Sequence, residues 1–165
     1  MKIAINDLEL TFRKCDAEQF KTKWTATLLY APYELDFEFD ESLFFDKKSN
    51  EIKIDWKLIE EFVLHIIKNL DLIQSKGISV LEELHKQVFG KEELLKTEGY
   101  FQTGGVELKR YRKEEYTTTY YHFAYDVHYF LESRKNFEMD SYHSYQAQFS
   151  SHNGLTICGV SRFGS

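Results

Sequence analysis

Between residues 34 and 40 the chain alternates without a break, with Leu35, Phe37 and Phe39 at odd positions and Glu34, Asp36, Glu38 and Asp40 at even ones. A β-strand sends successive side chains to opposite faces, so this segment predicts a strand with one apolar and one anionic side. The four carboxylates would stand in a row repeating at roughly 6.6 Å, twice the rise of a strand. Like charges in such a row repel and need water, salt, a neighbouring strand or a basic partner to offset them.

The same period of two recurs elsewhere. Alternation around Asn6-Asp7 predicts a hairpin of 2–5 with 8–13. Residues 23–30 read as a strand with Trp24, Ala26, Leu28 and Tyr30 on one face. A short loop through Ala31-Pro32-Tyr33 would pair Tyr30 with Leu35, Leu28 with Phe37 and Ala26 with Phe39. The anionic side would then face Leu29, Thr27 and Thr25, with no cation until Lys23 at the far end. A second hairpin is expected for 43–46 with 51–55, turning on Lys47-Lys48-Ser49-Asn50.

From Trp56 the period changes. Trp56, Ile59, Phe62, Val63, Ile66, Ile67 and Leu70 recur at three- and four-residue spacing, which predicts a helix over about 56–75. Asp55 reads as its N-cap and Gly77 as its stop. Ser79 followed by Glu82 reads as a capping box opening a second helix over about 80–89, with Leu81, Leu84 and Val88 inward and Gly90 at its end. Residues 91–97 could add one more turn.

Strands return from Tyr100. Residues 117–131 put Tyr121, Phe123, Tyr125, Val127, Tyr129 and Leu131 on one face. Residues 142–151 and 156–162 flank Asn153-Gly154, a strong hairpin signal. A two-residue loop there pairs Ala147 with Val160 and Phe149 with Cys158, which predicts a buried, inert Cys158. Strands, then helices, then strands indicate one α+β domain over 1–165: an antiparallel sheet of about seven or eight strands with the helical pair packed on one face.

Composition narrows the function. A chain of 165 residues can bury a core without disulfide or metal. One proline and eight glycines argue against disorder. The net charge of −6, from 27 acidic and 21 basic residues, disfavours sequence-independent phosphate binding and favours attraction to basic surfaces. Cys15 and Cys158 form no CxxC motif and read as reduced thiols. The polar N-terminal residues and the lack of ~20 consecutive apolar residues predict a cytoplasmic protein without a membrane span. Frequent Lys, Ile, Asn, Tyr and Phe suggest an AT-rich bacterial coding sequence.

Catalytic signals are weaker. His122, Asp126 and His128 share a strand face, but six residues of strand separate the histidines by about 20 Å. One zinc at ~2 Å from each ligand cannot hold both, so a site would need further residues such as His143. His65 follows Glu61 by four, an ordinary helix-surface pair, and His85 reads as a half-buried core residue. Asp140, Ser141, His143, Ser144, Ser150, Ser151 and His152 are close in sequence but form no GxSxG elbow. Thr103-Gly104-Gly105-Val106 lacks a phosphate-binding pattern and reads as a turn entering a strand. Lys109-Arg110-Tyr111-Arg112-Lys113 is the best nucleic-acid signal, yet it is short and followed by two glutamates.

These readings converge on a non-catalytic acidic module that binds a basic protein through Glu34, Asp36, Glu38, Asp40 and an exposed Tyr120. An immunity protein or antitoxin masking a nuclease toxin would have this form. No cofactor, metal site, nucleic acid or membrane partner is implied. The alternative is a small enzyme or a ligand- or metal-binding protein with a pocket on the C-terminal sheet, built from Tyr120, His122, Asp126, His128 and His143. A third reading is an oligomer formed by edge-to-edge sheet pairing.

Overall fold

The computed structural model describes residues 1–5, 8–17, 21–30, 33–89, 99–114, 118–131, 143–152 and 154–163. A hairpin of β1 (Lys2–Ile5) and β2 (Leu8–Thr11) leads into β3 (Arg13–Ala17), β4 (Lys21–Tyr30) and β5 (Tyr33–Asp40). A 3₁₀ turn (Glu41–Phe44) and the short pair β6 (Phe45–Asp46) and β7 (Glu51–Ile52) precede helices α1 (Trp56–Lys68) and α2 (Leu70–Phe89). Four long strands complete the chain: β8 (Gly99–Lys113), β9 (Thr119–Leu131), β10 (His143–Ser150) and β11 (Thr156–Phe163).

The large sheet has seven strands in the order β11-β10-β9-β8-β5-β4-β3. It is mixed rather than purely antiparallel, because β5 and β8 run parallel. The reason is the connection: two helices between these strands form a crossover, which returns the chain along the sheet in the same direction. The α+β class and the helical pair on the sheet agree with the expectation. Strand β3 was not anticipated.

One face of the sheet and the two helices enclose the core. Leu35, Phe37 and Phe39 from β5, Tyr121, Phe123 and Tyr125 from β9, and Ala147 and Phe149 from β10 are all buried there. Phe62 of α1 meets Phe37, Tyr121 and Phe123 at ring-centroid distances of 6.5, 5.3 and 6.0 Å. At the other end Trp24, Phe39 and Trp56 pack with Phe12, which brings the first hairpin onto the same core.

The helices divide elsewhere than the sequence suggests. Asp55 does cap α1, accepting from the Leu58 N–H at 3.1 Å. The break falls at Asn69, whose N–H bonds back to the preceding turn and whose side chain donates to the His65 carbonyl at 2.8 Å. A short amide side chain that competes for backbone carbonyls ends a helix readily. Gly77 is no stop: it lies inside α2, where a Cβ would come within 2.7 Å of the Tyr125 ring. Ser79 and Glu82 are likewise mid-helix, with Ser79 exposed, so they form no capping box. Leu81 is buried as expected, while Val88 is exposed. Gly90 and the expected extra turn at 91–97 lie outside the described residues, as do the turn residues Asn6-Asp7.

Two registers differ from expectation. Strands β4 and β5 pair Tyr30 with Tyr33, Leu28 with Leu35 and Ala26 with Phe37, two residues from the predicted alignment, because Tyr33 joins the ladder instead of the loop. At β10–β11 Ala147 does face Val160, but a bulge pairs Phe149 with Ile157. The extra residue is Cys158, which is therefore exposed and not buried, with its thiol donating to the Gln148 carbonyl at 3.3 Å. Cys15 is exposed as well. The second expected hairpin shrinks to β6 and β7, because residues 41–44 turn as a 3₁₀ helix. No helix of the described residues is long and apolar enough to cross a membrane.

Candidate functional site

Both helices pack on one face of the sheet, and the even residues of β5 point to the other. The cross-strand register extends this open face over neighbouring strands. Asp36 lies beside Gly105 of β8, which lies beside Asp126 of β9, followed by Gln146 of β10. Glu38 lies beside Glu107. Carboxylates of three adjacent strands thus converge, whereas the sequence reading placed them on one. They surround a depression of about 330 Å³ whose floor is Gly104 and Gly105 and whose wall includes His128, Ser144 and Phe163.

The floor leaves little room for side chains. A Cβ on Gly105 would stand 3.0 Å from the Asp36 carbonyl oxygen, and one on Gly104 would stand 2.6 Å from His128 Nε2. The β8–β9 register shifts between Thr103 and Gly105, so Gly104 sits at a bulge. The Thr103-Gly104 segment is therefore not a turn entering a strand but the middle of a fifteen-residue strand. Glycine inside a strand marks a bulge or a close approach, and that signal was available in the sequence.

The acidic row is partly compensated. The two-residue register change brings Lys23 directly opposite Asp40 and within 3.0 Å of Glu38 and 3.7 Å of Glu107. Burial alone would lower the pKa of the Lys23 ammonium, but its hydrogen bond to Glu38 and the charges of Glu107 and Asp126 outweigh that and raise it. Lys109 also pairs with Glu107, at 2.6 Å. Lys53 pairs with Glu51, and Lys113 pairs with Asp55.

The remaining carboxylates make no ion pair among the described residues, and three of them accept hydrogen bonds. Asp36 accepts from the Thr27 hydroxyl at 2.6 Å, and Asp40 caps the 3₁₀ turn through the Ser42 N–H at 2.8 Å. Glu34 is exposed. Asp126 accepts from the Gln146 amide at 2.8 Å. Burial pushes the Asp126 carboxyl above the usual carboxylate range; the nearby Glu107 and Glu38 add to that rise, while the Gln146 hydrogen bond and the charge of Lys109 offset part of it. Across the face, six carboxylates stand with Lys23, Lys109 and, on β3 beyond Thr25, Arg13. Arg110 and Arg112 share the face further along, opposite His122 and Tyr120.

Tyr120 lies on the same face but is half-buried, packed edge-on against His152 at 4.6 Å. The four residues of strand from Tyr120 to Ala124, the neighbour of Glu107, separate it from the acidic centre by about 13 Å. The alternative pocket does not assemble as a set. Asp126 and His128 line the depression, whereas His122 lies four residues of strand from Asp126, about 13 Å away. The side chain of His143 lies outside the described residues, and so do Asp140 and Ser141. No group of three metal-ligating side chains occurs among the described residues.

One pair suited to nucleophilic chemistry does form: His128 Nδ1 lies 3.0 Å from Ser144 Oγ at the wall of the depression. A serine beside a histidine can be activated, but an oxyanion forming among Asp36, Glu107 and Asp126 would be repelled. This electrostatic setting suits a bound cation far better than a developing anion. Comparison of the chain with protein-family models, curated proteins and solved structures finds no match.

Proposed function

We propose that this chain is a cytoplasmic, non-catalytic module whose open sheet face docks a basic protein. The partner's lysine or arginine side chains take the place of the cations that Glu34, Asp36 and Asp126 lack. Asp126 carries the reading. A carboxylate that is largely buried and has no ion pair among the described residues costs folding free energy. A cation from a partner, entering the glycine-floored depression, would offset that cost. The acidic surroundings would chiefly speed encounter and reject acidic proteins. Masking of a nuclease toxin, in the manner of an immunity protein or antitoxin, fits this chemistry because such a toxin presents cations where substrate phosphates lie.

The test is capture of partners on the immobilised native chain beside a variant with Glu34, Asp36, Glu38 and Asp126 all changed to Lys. A basic protein retained by the native chain and lost from the variant supports the reading. Equal retention by both overturns it.

The Ser144–His128 contact favours a second reading, a small hydrolase or ligand-binding protein using this depression. Its test is reaction with a serine-directed fluorophosphonate probe. Labelling that disappears in Ser144→Ala would support it, and no labelling would remove it.

A further inference from the structure

The two edges of the large sheet differ. Strand β3 is short and carries Arg13 and Lys14, charges of the kind that block edge pairing. Strand β11 is longer, its one charged residue is Arg162, and among the described residues no strand lies beyond it. Past the bulge, residues 159–163 pair regularly with β10, which makes them a straight template. Val160 and Phe163 on this strand are 40% and 51% exposed.

Gly159 directly follows the bulge at Cys158, and its missing side chain leaves a gap on the open face of the edge strand. A Cβ there would meet Gln148 Oε1 at an ordinary 3.5 Å, and its φ is not among the positive values.

We propose that β11 pairs antiparallel with β11 of a second copy, about a two-fold axis through Ser161. Side chains opposite one another in an antiparallel pair share a face. This register therefore sets Phe163 over Gly159 of the copy, twice, with Val160 opposite Arg162. An aromatic ring lying across a glycine of the neighbouring strand covers backbone that would otherwise stay wet. The same five residues supply both ring and gap, which is the self-complementarity that a closed two-fold interface needs. The axis stands perpendicular to the sheet, so both acidic faces look the same way, and the dimer would offer a basic partner two adjacent sites.

The experiment combines mass and register. Sedimentation of the native chain from ~5 to ~500 µM should show a rise toward twice the monomer mass. Val160→Lys, on the helix side and away from the acidic face, should weaken association by about tenfold or more with unchanged circular dichroism. In a Cys15→Ser/Cys158→Ser background, Ser161→Cys should close a disulfide with its copy on mild oxidation, because directly opposed residues lie about 4.5–5.5 Å apart at Cα. A native chain that stays monomeric overturns the proposal. So does a Val160→Lys variant that associates as well as the native chain, or Ser161→Cys crosslinking no faster than a Thr156→Cys control. None of these outcomes bears on capture of a basic partner by the monomer.

Discussion

Lys23 Nζ stands 3.0 Å from Glu38 and 3.7 Å from Glu107, so one side chain of β4 ties together the carboxylates of β5 and β8. All three groups are partly exposed, which limits the value of the bridge to roughly 1 kcal/mol or less. Lys23→Met should lower stability by that amount in urea titrations at low salt, and the loss should shrink in ~1 M salt as screening takes over. The same variant leaves the open face more negative and should raise the association rate with a basic partner.

Asp126→Asn should stabilise the protein at neutral pH. The asparagine oxygen can still accept from Gln146, and the buried charge is removed. The sign follows from linkage. A carboxyl whose pKa is raised on folding holds its proton more tightly in the folded state, so stability falls as pH climbs from the unfolded value of about 3.9 through the folded one. The variant should therefore gain on the order of 1 kcal/mol at pH 7 and nothing below about pH 3.5, read from urea midpoints. Affinity for a basic partner should fall, so stability and binding move in opposite directions.

Gly77→Ala should destabilise the fold even though alanine favours helix by about 1 kcal/mol. The added methyl would stand 2.7 Å from Tyr125 Cδ1, and that ring is held through its hydroxyl by Thr103 at 2.8 Å. Overpacking of this kind costs about 1–3 kcal/mol, so thermal melting should show a net loss.

His85 is buried on α2 among Phe101, Tyr129 and Tyr145, with its Nδ1 hydrogen-bonded to the Tyr145 hydroxyl. Burial, with Arg162 nearby, lowers its pKa; burial and Lys68 do the same for His65. A histidine with a depressed folded pKa contributes stability that is full above about pH 6.5 and is lost as pH falls through the folded value. Urea midpoints should thus drop between pH 7 and pH 5. His85→Gln should start lower at pH 7 and show a shallower drop.

Much of the architecture was legible because its signals are periodic. The alternation of β5 and β9 placed Phe37, Phe39, Phe123 and Tyr125 inside, and the α1 stripe placed Ile59, Phe62 and Ile66 there. Errors arose where tertiary packing overrode a local rule. Gly77 stays helical because Tyr125 leaves no room for a side chain. Cys158 is turned outward by a bulge that no turn rule specifies. The site was half legible: the row on β5 was visible, but its extension through Glu107 and Asp126 depends on a parallel β5–β8 pairing that period-two patterns cannot announce. The same pairing register decides which carboxylates Lys23 reaches.

On the proposed function the open face, and not negative charge in general, recognises the partner. The most direct measurement is the association rate of a captured basic partner with two triple variants of equal net charge. One changes Asp36, Glu38 and Asp126 to Lys on the open face; the other changes Glu61, Glu82 and Glu83 to Lys on the helices. The first should abolish binding, while the second should leave a complex that forms only somewhat more slowly. Equal loss in both, or loss confined to the helix variant, would contradict it.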